Sequence, residues 1–490
     1  MRPHDDASTP RVPNERRDRS RREFVTNAAI LTAGLSLGCT NGAERVLAPM
    51  RAAGALNIER DEDDEESGRH LPAPEKSGIE HIVLVMMENR SFDHFLGWLP
   101  HANGRQAGLT YTDRNGVAHA TYPLAPDYQG CGHPDPDHGY DGGRVEYDGG
   151  LCDGWLRAGD NDIYSIGYYR LQDLPFLGRA AQDWSSFDQY HAAILSATFP
   201  NRFIQHSGQT DRMDDSFTLT AMPTIWDRLA DRGVTGRYYF SDLPFLLLWG
   251  PLKYFVENPV SRPITEFFDA CATGDLPAVS YVDPTFGGED AGTSNDDHPH
   301  ADVRAGESFL NRIYTAVTNS PAWKHTVLVI NFDEWGGFFD HVPPTVTAIS
   351  DLERAAGNAD GLRGFRTPAL VVSPFARRAQ VNHTLYDHAS ILRMIEWRWG
   401  LESLTVRDQT ANNLAQALDF RRPQLYAPQY LVPDVVGAAC PAPPSTIASS
   451  AGLSASAGGL AATVAPPVRR STPWQGLASL ARSNGFSVRR

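Results

Sequence analysis

One short apolar run constrains the fold of this chain more than any other sequence feature. Residues Ile82 to Met87 are continuously apolar and are bounded by polar residues. A run of this length fits a β-strand covered on both faces, as in a parallel sheet, better than it fits a helix. Glu88 and Asn89 follow the run, at the end of the strand where ligands bind in open α/β sheets. They are candidate ligands of a hard metal ion, although this dipeptide alone is better explained as polar turn residues.

The same pattern recurs in the second half of the chain. Thr326 to Phe332 is the clearest buried strand there, and Asp333 and Glu334 follow it. Two such strand ends can face one cation. The recurrence of polar residues after both strands is therefore less well explained by coincidence than either dipeptide alone. The sequence therefore predicts one divalent ion with oxygen ligands, which suits Ca²⁺, Mg²⁺ or Mn²⁺ but does not exclude Fe or Zn.

A hydroxyl that could act as a nucleophile is found at Thr198. Pro200 follows it closely and suits the first turn of a helix. Thr198 is therefore expected just ahead of a helix N-terminus, where free N–H groups and the helix dipole favour an anion. A hydroxyl at that place can attack a phosphate group, whereas the alternative is an ordinary helix-capping residue.

Histidines cluster in two segments of the chain. His133 and His138 lie in a short run rich in aspartate, proline and glycine, which is typical of a rigid functional loop. His298 and His300 lie just before a predicted helix. His298 and His300 are candidates for phosphate contact or general acid catalysis. The alternative is a solvated turn for the first segment and a capping loop for the second.

Composition and charge exclude some classes of function. The chain has 490 residues, of which 41% are hydrophobic and 21% are charged, so it can bury a large globular core. Its formal net charge of −15 argues against a nucleic-acid-binding protein, which would be basic. No apolar stretch reaches the roughly 18 residues of a membrane span, so no transmembrane segment is expected in the mature chain.

The N-terminus is typical of a twin-arginine signal peptide. Arg21 and Arg22 precede Phe24, and the short apolar run Ala28 to Gly38 follows them. This order predicts passage through the twin-arginine export machinery to the periplasm or the extracellular space. Cys39 offers an alternative lipid anchor, but the residues before it make a poor lipidation signal.

Four segments are expected along the chain. They are a signal peptide at 1–55, an acidic leader at 56–77, a main domain at 78–440, and a linker with a short tail at 441–490. Within the tail, Trp474, Leu477 and Leu480 form an apolar pattern that could dock back on the main domain.

Five cysteines are present, without any Cys-x-x-Cys motif that would indicate a thiolate zinc site. Cys131 and Cys152 flank a loop-like segment and are candidates to pair in an oxidising compartment. Cys271 and Cys440 have no evident partner in the sequence.

Taken together, the motifs resemble the secreted bacterial phosphoesterase family, which contains phospholipases C and periplasmic acid phosphatases. The family belongs to the alkaline-phosphatase-like superfamily. The resemblance extends from about residue 79 to 420 and is carried by Met87 to His94, by Thr198 with Pro200 to Arg202, by His298-Pro299, and by Asp333 to Pro344. It implies an α/β fold, namely an α/β/α sandwich with a mostly parallel central sheet.

The resemblance also implies a role for individual residues. Metal ligands would be Glu88, Asn89, Thr198, Asp333 and Glu334, catalytic residues would be Thr198, His298 and His138, and substrate-binding residues would be His300, His341 and Arg202. The implied reaction is attack of the threonine hydroxyl on phosphorus, with a histidine protonating the leaving group.

Three functions are consistent with these motifs. Threonine at position 198 favours phospholipase C-type hydrolysis of phosphodiesters, including phospholipids, because the acid phosphatase branch has serine there. The chain has no room for the accessory domains of many phospholipases, which leaves hydrolysis of phosphomonoesters by an acid phosphatase open. The third alternative, an exported metal-binding protein without catalysis, is disfavoured by the intact nucleophile motif.

Overall fold

The computed structural model describes residues 71–441 and 473–486 of the chain. All of them belong to the larger of two compact units, residues 61–490. The predicted signal peptide, the alternative lipid anchor at Cys39, most of the predicted acidic leader and most of the predicted linker lie outside the described residues. Predictions for those segments therefore remain predictions.

Twelve strands and eleven α-helices organise the described residues. The strands are β1 His81–Met87, β2 Thr110–Thr112, β3 Ala118–Ala120, β4 Tyr122–Pro123, β5 Gly167–Tyr168, β6 Ser185–Phe187, β7 Gly236–Phe240, β8 Ser261–Pro263, β9 Val279–Val282, β10 Thr326–Phe332, β11 Leu370–Val372 and β12 Gln380–Asn382. The helices are α1 Phe92–Leu96, α2 Tyr140–Tyr147, α3 Leu177–Asp183, α4 Thr198–Ser207, α5 Ile225–Asp231, α6 Ile264–Thr273, α7 Val303–Thr318, α8 Asp351–Ala355, α9 His388–Trp399, α10 Val406–Thr410 and α11 Pro473–Ser483.

Eight of the strands form one mixed sheet. Its order is β12-β6-β11-β10-β1-β9-β7-β8, and only β11 runs antiparallel to its neighbours. Helices α4 and α9 pack on each other, as do α6 and α7, and the helices flank the sheet. The architecture is the α/β/α sandwich with a mostly parallel sheet that the sequence predicts.

The two apolar runs lie side by side at the centre of this sheet. Strands β1 and β10 pair in parallel, with Met87 opposite Phe332, and every residue of β10 is buried. Strands enclosed on both faces need apolar side chains at successive positions, which explains why both segments lack a polar alternation. The predicted strands are confirmed, and the polar residues that follow each strand leave the sheet at the same edge.

The cysteine pairing expected from the sequence is wrong. Cys131 forms a disulfide with Cys440, with 5.5 Å between the two Cα atoms, whereas Cys152 is a free and buried thiol. The extended segment at the end of the described domain lies beside the loop that contains Cys131. In this segment, the Cys440 N–H also donates a hydrogen bond of 2.7 Å to the carbonyl oxygen of Ala291. The pairing of Cys131 with Cys440 has no local signal in the sequence, because 309 residues separate the two cysteines.

The tail contains a docked helix, as the apolar pattern indicates. In α11, Trp474 is 2% exposed and Leu477 is fully buried within the main hydrophobic core. Among the described residues, no helix has the length and apolar character that crossing a membrane requires.

Candidate active site

Four predicted ligands meet where β1 and β10 end. Glu88, Asn89, Asp333 and Glu334 are all fully buried. The Asn89 N–H donates to Asp333 Oδ1 at 3.1 Å, and the Asn89 side-chain amide donates to Glu334 Oε1. The parallel register of the two strands therefore brings both dipeptides into one polar cluster.

The glycines after Glu334 allow the backbone to pass close to this cluster. A Cβ atom on Gly336 would lie 2.0 Å from the carbonyl oxygen of Asn89. Gly336 also has a φ of +64°, a left-handed conformation that glycine adopts without steric penalty. Its N–H donates to Glu334 Oε2 at 2.7 Å, so the turn also orients the carboxylate.

The electrostatics of the cluster fit a divalent cation. Burial raises the pKa of Glu88 and Glu334 well above the usual value, and it also raises the pKa of Asp333. Glu88 Oε2 and Asn89 Oδ1 are buried oxygens without a hydrogen-bond partner. Because buried acidic groups and unpaired oxygens are unfavourable on their own, a hard cation with oxygen ligands suits this donor set.

Arg202 balances part of the negative charge. Its guanidinium lies 3.1 Å from Asp333 Oδ2, 3.3 Å from Asp283 Oδ1 and 3.6 Å from Glu88 Oε1. The side chain is 2% exposed and also donates to backbone carbonyls of β1. Its contacts orient the carboxylates of Asp333 and Glu88, while its predicted contact with substrate remains a prediction.

Two further acids, which the sequence does not single out as ligands, approach Glu88. Carboxylate oxygens of Glu88, Glu289 and Asp296 lie within 4.8 Å of one another, and all three side chains are buried. Both carboxylate oxygens of Glu289 lack a hydrogen-bond partner, and burial raises its pKa well above the usual value. Glu289 lies in the acid- and glycine-rich loop after β9, but its sequence spacing gives no sign of which acid faces the sheet.

Thr198 is the first residue of α4, whereas the sequence places it one position earlier, just before the helix. Ala197 is the N-cap, and no side chain caps this helix. The capping interpretation of Thr198 is therefore wrong. Thr198 is 2% exposed and precedes Arg202 by four residues, so both residues lie on the same face of α4. The guanidinium of Arg202 reaches Asp333 from this face.

The N-terminus of α4 has an acidic neighbour that the sequence does not indicate. The Phe199 N–H donates to Asp215 Oδ1 at 2.7 Å. Burial raises the pKa of Asp215 to about 6, although the hydrogen bond from Phe199 opposes the shift. An anion at a helix N-terminus is stabilised by the free N–H groups and the dipole, so this position already favours negative charge.

His138 lies among the carboxylates of the site. Burial lowers its pKa, but the charges of Glu334, Asp135 and Asp215 outweigh burial and raise the pKa to about 10. Its Nδ1 lies 2.7 Å from the carbonyl oxygen of Pro136, which orients the ring. The protonated imidazole is therefore favoured at neutral pH beside a predicted metal ligand.

Asp135 connects the two histidine segments. Its Oδ2 lies 3.5 Å from Nε2 of His298, and the charge of His138 also acts on it. Burial raises the pKa of Asp135, but His298 and the other histidines outweigh burial and hold the pKa below its usual range. His300 Nε2 lies 3.0 Å from the carbonyl oxygen of His133, so a side-chain contact with the backbone also connects the two segments.

His341 has its partners in a different cluster. Its Nδ1 contacts Asp93, and its Nε2 lies 3.1 Å from Asn103 Oδ1. Arg366 forms buried ion pairs with Asp93 and Asp340 in the same cluster. The contacts of His341 are thus with these protein groups, and its predicted substrate-binding role remains a prediction.

His388 supports the site from behind the strand ends. Its Nε2 lies 2.7 Å from the carbonyl oxygen of Asp333, and Asp387 caps the helix that His388 begins. Burial lowers the pKa of His388 to about 4, although the hydrogen bond to Asp333 opposes the shift. A neutral imidazole therefore holds the backbone of a predicted ligand in place.

Comparisons with known proteins identify several proteins to which this chain is similar. Phospholipase C B of Mycobacterium tuberculosis (strain ATCC 25618 / H37Rv) is 30% identical over 416 residues, which cover 70% of this chain and 78% of that relative. Non-specific phospholipase C6 of Arabidopsis thaliana is 28% identical over 372 residues, covering 69% of this chain and 71% of that relative. Among solved structures, a protein in the alkaline phosphatase superfamily from Vibrio parahaemolyticus has 12% identity and a TM-score of 0.33, covering 69% of this chain and 70% of that chain.

The Phosphoesterase family model matches residues 79–402. This match begins just before β1 and contains β10, Thr198, both histidine segments and every candidate metal ligand named above. On that evidence, the chain belongs to the Phosphoesterase family.

Proposed function

We propose that this phosphoesterase is exported, depends on a divalent metal ion, and hydrolyses phosphodiesters in the manner of a phospholipase C. Membership of the family makes it a hydrolase of phosphoester bonds. The single observation that carries the finer proposal is the position of Thr198, which begins α4 without a capping role and shares a helix face with Arg202. The names of the relatives support the phosphodiester class.

In the proposed reaction, Thr198 Oγ releases its proton to solvent and forms a bond to phosphorus as the bond to the leaving oxygen breaks. His138 or His298 donates the proton that the leaving oxygen needs. The positive end of the α4 dipole stabilises charge on the phosphoryl oxygens. Water then attacks the phosphothreonine and returns the free hydroxyl.

The metal ion would be held by Glu88, Asn89, Asp333 and Glu334, with Thr198 as a further ligand. Their oxygen-rich and buried donor set supports this assignment. When bound, such a cation lowers the pKa of a hydroxyl and offsets phosphoryl charge. Arg202 would keep Asp333 and Glu88 oriented through the ion pairs described above.

Three chromogenic substrates test the proposed specificity. Purified protein is assayed with p-nitrophenylphosphorylcholine, bis-p-nitrophenyl phosphate and p-nitrophenyl phosphate, before and after chelation. Hydrolysis of the two diesters, lost on chelation and restored by added metal, is the expected result. Preference for the monoester would instead support an acid phosphatase, and activity that survives removal of metal would contradict the proposed metal dependence.

Export is supported by the Cys131–Cys440 disulfide, because such bonds persist in oxidising compartments. The paired Arg21 and Arg22 would direct the folded protein through the twin-arginine route. Replacing both with lysine should trap the precursor in the cytoplasm. Normal export of that double variant would contradict the proposed route.

A further inference from the structure

We propose that Trp474, delivered by the C-terminal helix α11, is a positioning residue for the predicted metal ligand Glu88. Its indole Nε1–H donates a hydrogen bond to Glu88 Oε1 across 3.0 Å. The two residues are 386 positions apart in the chain. This inference rests on the proposed metal site and adds to it a residue beyond the matched range of 79–402.

The hydrogen bond distinguishes the two oxygens of Glu88. Oε1 receives the indole N–H and lies 3.6 Å from Nη2 of Arg202. Oε2 is buried and has no hydrogen-bond partner. A donor that occupies one carboxylate oxygen fixes the rotation of the group, which leaves the other oxygen directed toward a cation.

The indole N–H is well suited to this task. It can only donate, and a buried tryptophan N–H requires an acceptor to avoid an unfavourable desolvation. Trp474 is 2% exposed, so Glu88 provides the acceptor that the buried ring needs.

The ring of Trp474 is held in one orientation. It stacks on Phe286 with ring centroids 3.8 Å apart and an angle of 3° between the planes. The guanidinium of Arg202 lies 4.5 Å from the centroid of Phe286 and 5.6 Å from that of Trp474. The group that pairs with the ligand carboxylates thus also contacts the aromatic pair, so the indole and Glu88 are positioned together.

Helix α11 has a specific place on the domain. Leu477 and Ala481 are fully buried, and a Cβ atom on Gly476 would lie within 2.4 Å of the ring of Phe217. Phe486, after the helix, contacts Phe255 with ring centroids 5.0 Å apart. These contacts anchor both ends of α11 and so fix the position of the Trp474 indole N–H.

Metal binding provides the test, with two variants of the same helix. Trp474→Phe removes the N–H but keeps an aromatic ring on Phe286. Gln475→Ala is the matched control, because it removes one hydrogen bond from α11 to Asp290, 3.1 Å long, without touching Glu88. Chelator-treated full-length proteins are titrated calorimetrically with Mg²⁺, Ca²⁺, Mn²⁺ and Zn²⁺ in separate experiments.

The expected result is a metal Kd about tenfold weaker in Trp474→Phe, with Gln475→Ala unchanged. Hydrogen exchange of the α11 amides is measured alongside, and unchanged protection in Trp474→Phe shows that the helix remains docked. Wild-type affinity in Trp474→Phe, or tighter binding, would overturn the inference. A weaker Kd accompanied by lost protection would also overturn it, because undocking of the helix would then be the cause.

A spectroscopic readout separates this inference from the proposed metal site itself. The chain has ten tryptophans, and the indole N–H resonance that is missing from Trp474→Phe identifies Trp474. That resonance should shift when a diamagnetic ion is added to the wild-type protein. A wild-type protein that binds none of the four ions would overturn the metal site as well, whereas metal binding that leaves the resonance unmoved would overturn only the role of Trp474.

Discussion

The backbone N–H of Asn89 donates a hydrogen bond to Oδ1 of Asp333, 3.1 Å away. This contact joins the ends of two neighbouring parallel strands that are distant in the sequence, with Met87 opposite Phe332. It follows from the register of β1 and β10 and not from any local sequence signal. The predicted metal site therefore depends on correct pairing of the two central strands.

Gly336 offers a test of that dependence. Gly336→Ala would place a Cβ atom 2.0 Å from the Asn89 carbonyl oxygen, so Asn89 must move. Gly233→Ala is a matched control, since Gly233 has a φ of +65° and a Cβ atom added there would meet no other atom within 4 Å. Gly233→Ala should lose about 1 kcal/mol in free energy of unfolding from the left-handed backbone. Gly336→Ala should lose more than that because of the added clash, and only Gly336→Ala should also lose metal affinity. Equal metal affinity in both variants would contradict the packing described for the site.

The disulfide should make a measurable contribution to stability. Cys440→Ser removes the bond to Cys131, and we expect the free energy of unfolding to fall by about 2–5 kcal/mol. Dithiothreitol should lower the Tm of the wild-type protein but leave that of Cys440→Ser unchanged. A non-reducing peptide map should show Cys131 linked to Cys440, and a Cys131–Cys152 linkage would contradict the structure.

Glu307 should produce a pH-dependent change in stability away from the site. Burial raises its pKa to about 8, although hydrogen bonds from the backbone N–H groups of Leu177 and Phe176 oppose the shift. Glu307 has a pKa of about 4.5 in the unfolded state. Above that pH, the folded state therefore keeps a proton on Glu307 that the unfolded state releases. The associated stability is complete below that pH and is lost as the pH rises through about 8.

Glu307→Gln is the matched variant, because the amide keeps the carbonyl acceptor but cannot ionise. Urea unfolding at pH 5, 6.5 and 8 measures both proteins. Relative to the variant, the wild type should be most stable at pH 5 and should lose that advantage by pH 8. A stability difference that is the same at all three pH values would show that Glu307 has an ordinary pKa.

Much of the fold can be predicted because the central strands carry a strong local signal. The continuous apolar residues of β1 and β10 indicate burial on both faces, and an acidic residue at each exit indicates a site. Helix α5 likewise begins after Thr224, whose side chain forms a capping box with Asp227. Such signals are encoded within a few residues and do not depend on the rest of the chain.

Other features cannot be predicted, because they arise from contacts between distant segments. Nothing local to Glu289 indicates that its carboxylate approaches Glu88, and nothing near Cys131 indicates Cys440. The sequence places the start of α4 one residue too late, because Ala197 has no capping side chain to mark the boundary. Apolar neighbours indicate the docking of Trp474, but they do not indicate its hydrogen bond to Glu88.

The nucleophile assignment is the central claim, and matched substitutions of Thr198 address it. Thr198→Ser keeps the hydroxyl and should retain partial activity, with the phosphoryl adduct trapped by acid quenching on the peptide that contains this position. Thr198 does not cap α4 but its side chain is buried, so Thr198→Ala should lower the free energy of unfolding by about 1 kcal/mol without unfolding the protein. Circular dichroism and metal titration verify that each variant is folded and keeps a metal site.

The most direct measurement is the turnover number of folded Thr198→Ala with bis-p-nitrophenyl phosphate. Removing the hydroxyl removes the only atom at this position that could form the phosphothreonine, so we expect the turnover number to fall by about 10⁴-fold or more. Turnover within about tenfold of the wild type would contradict the role of Thr198 as the nucleophile, because the reaction would then proceed through direct attack of water.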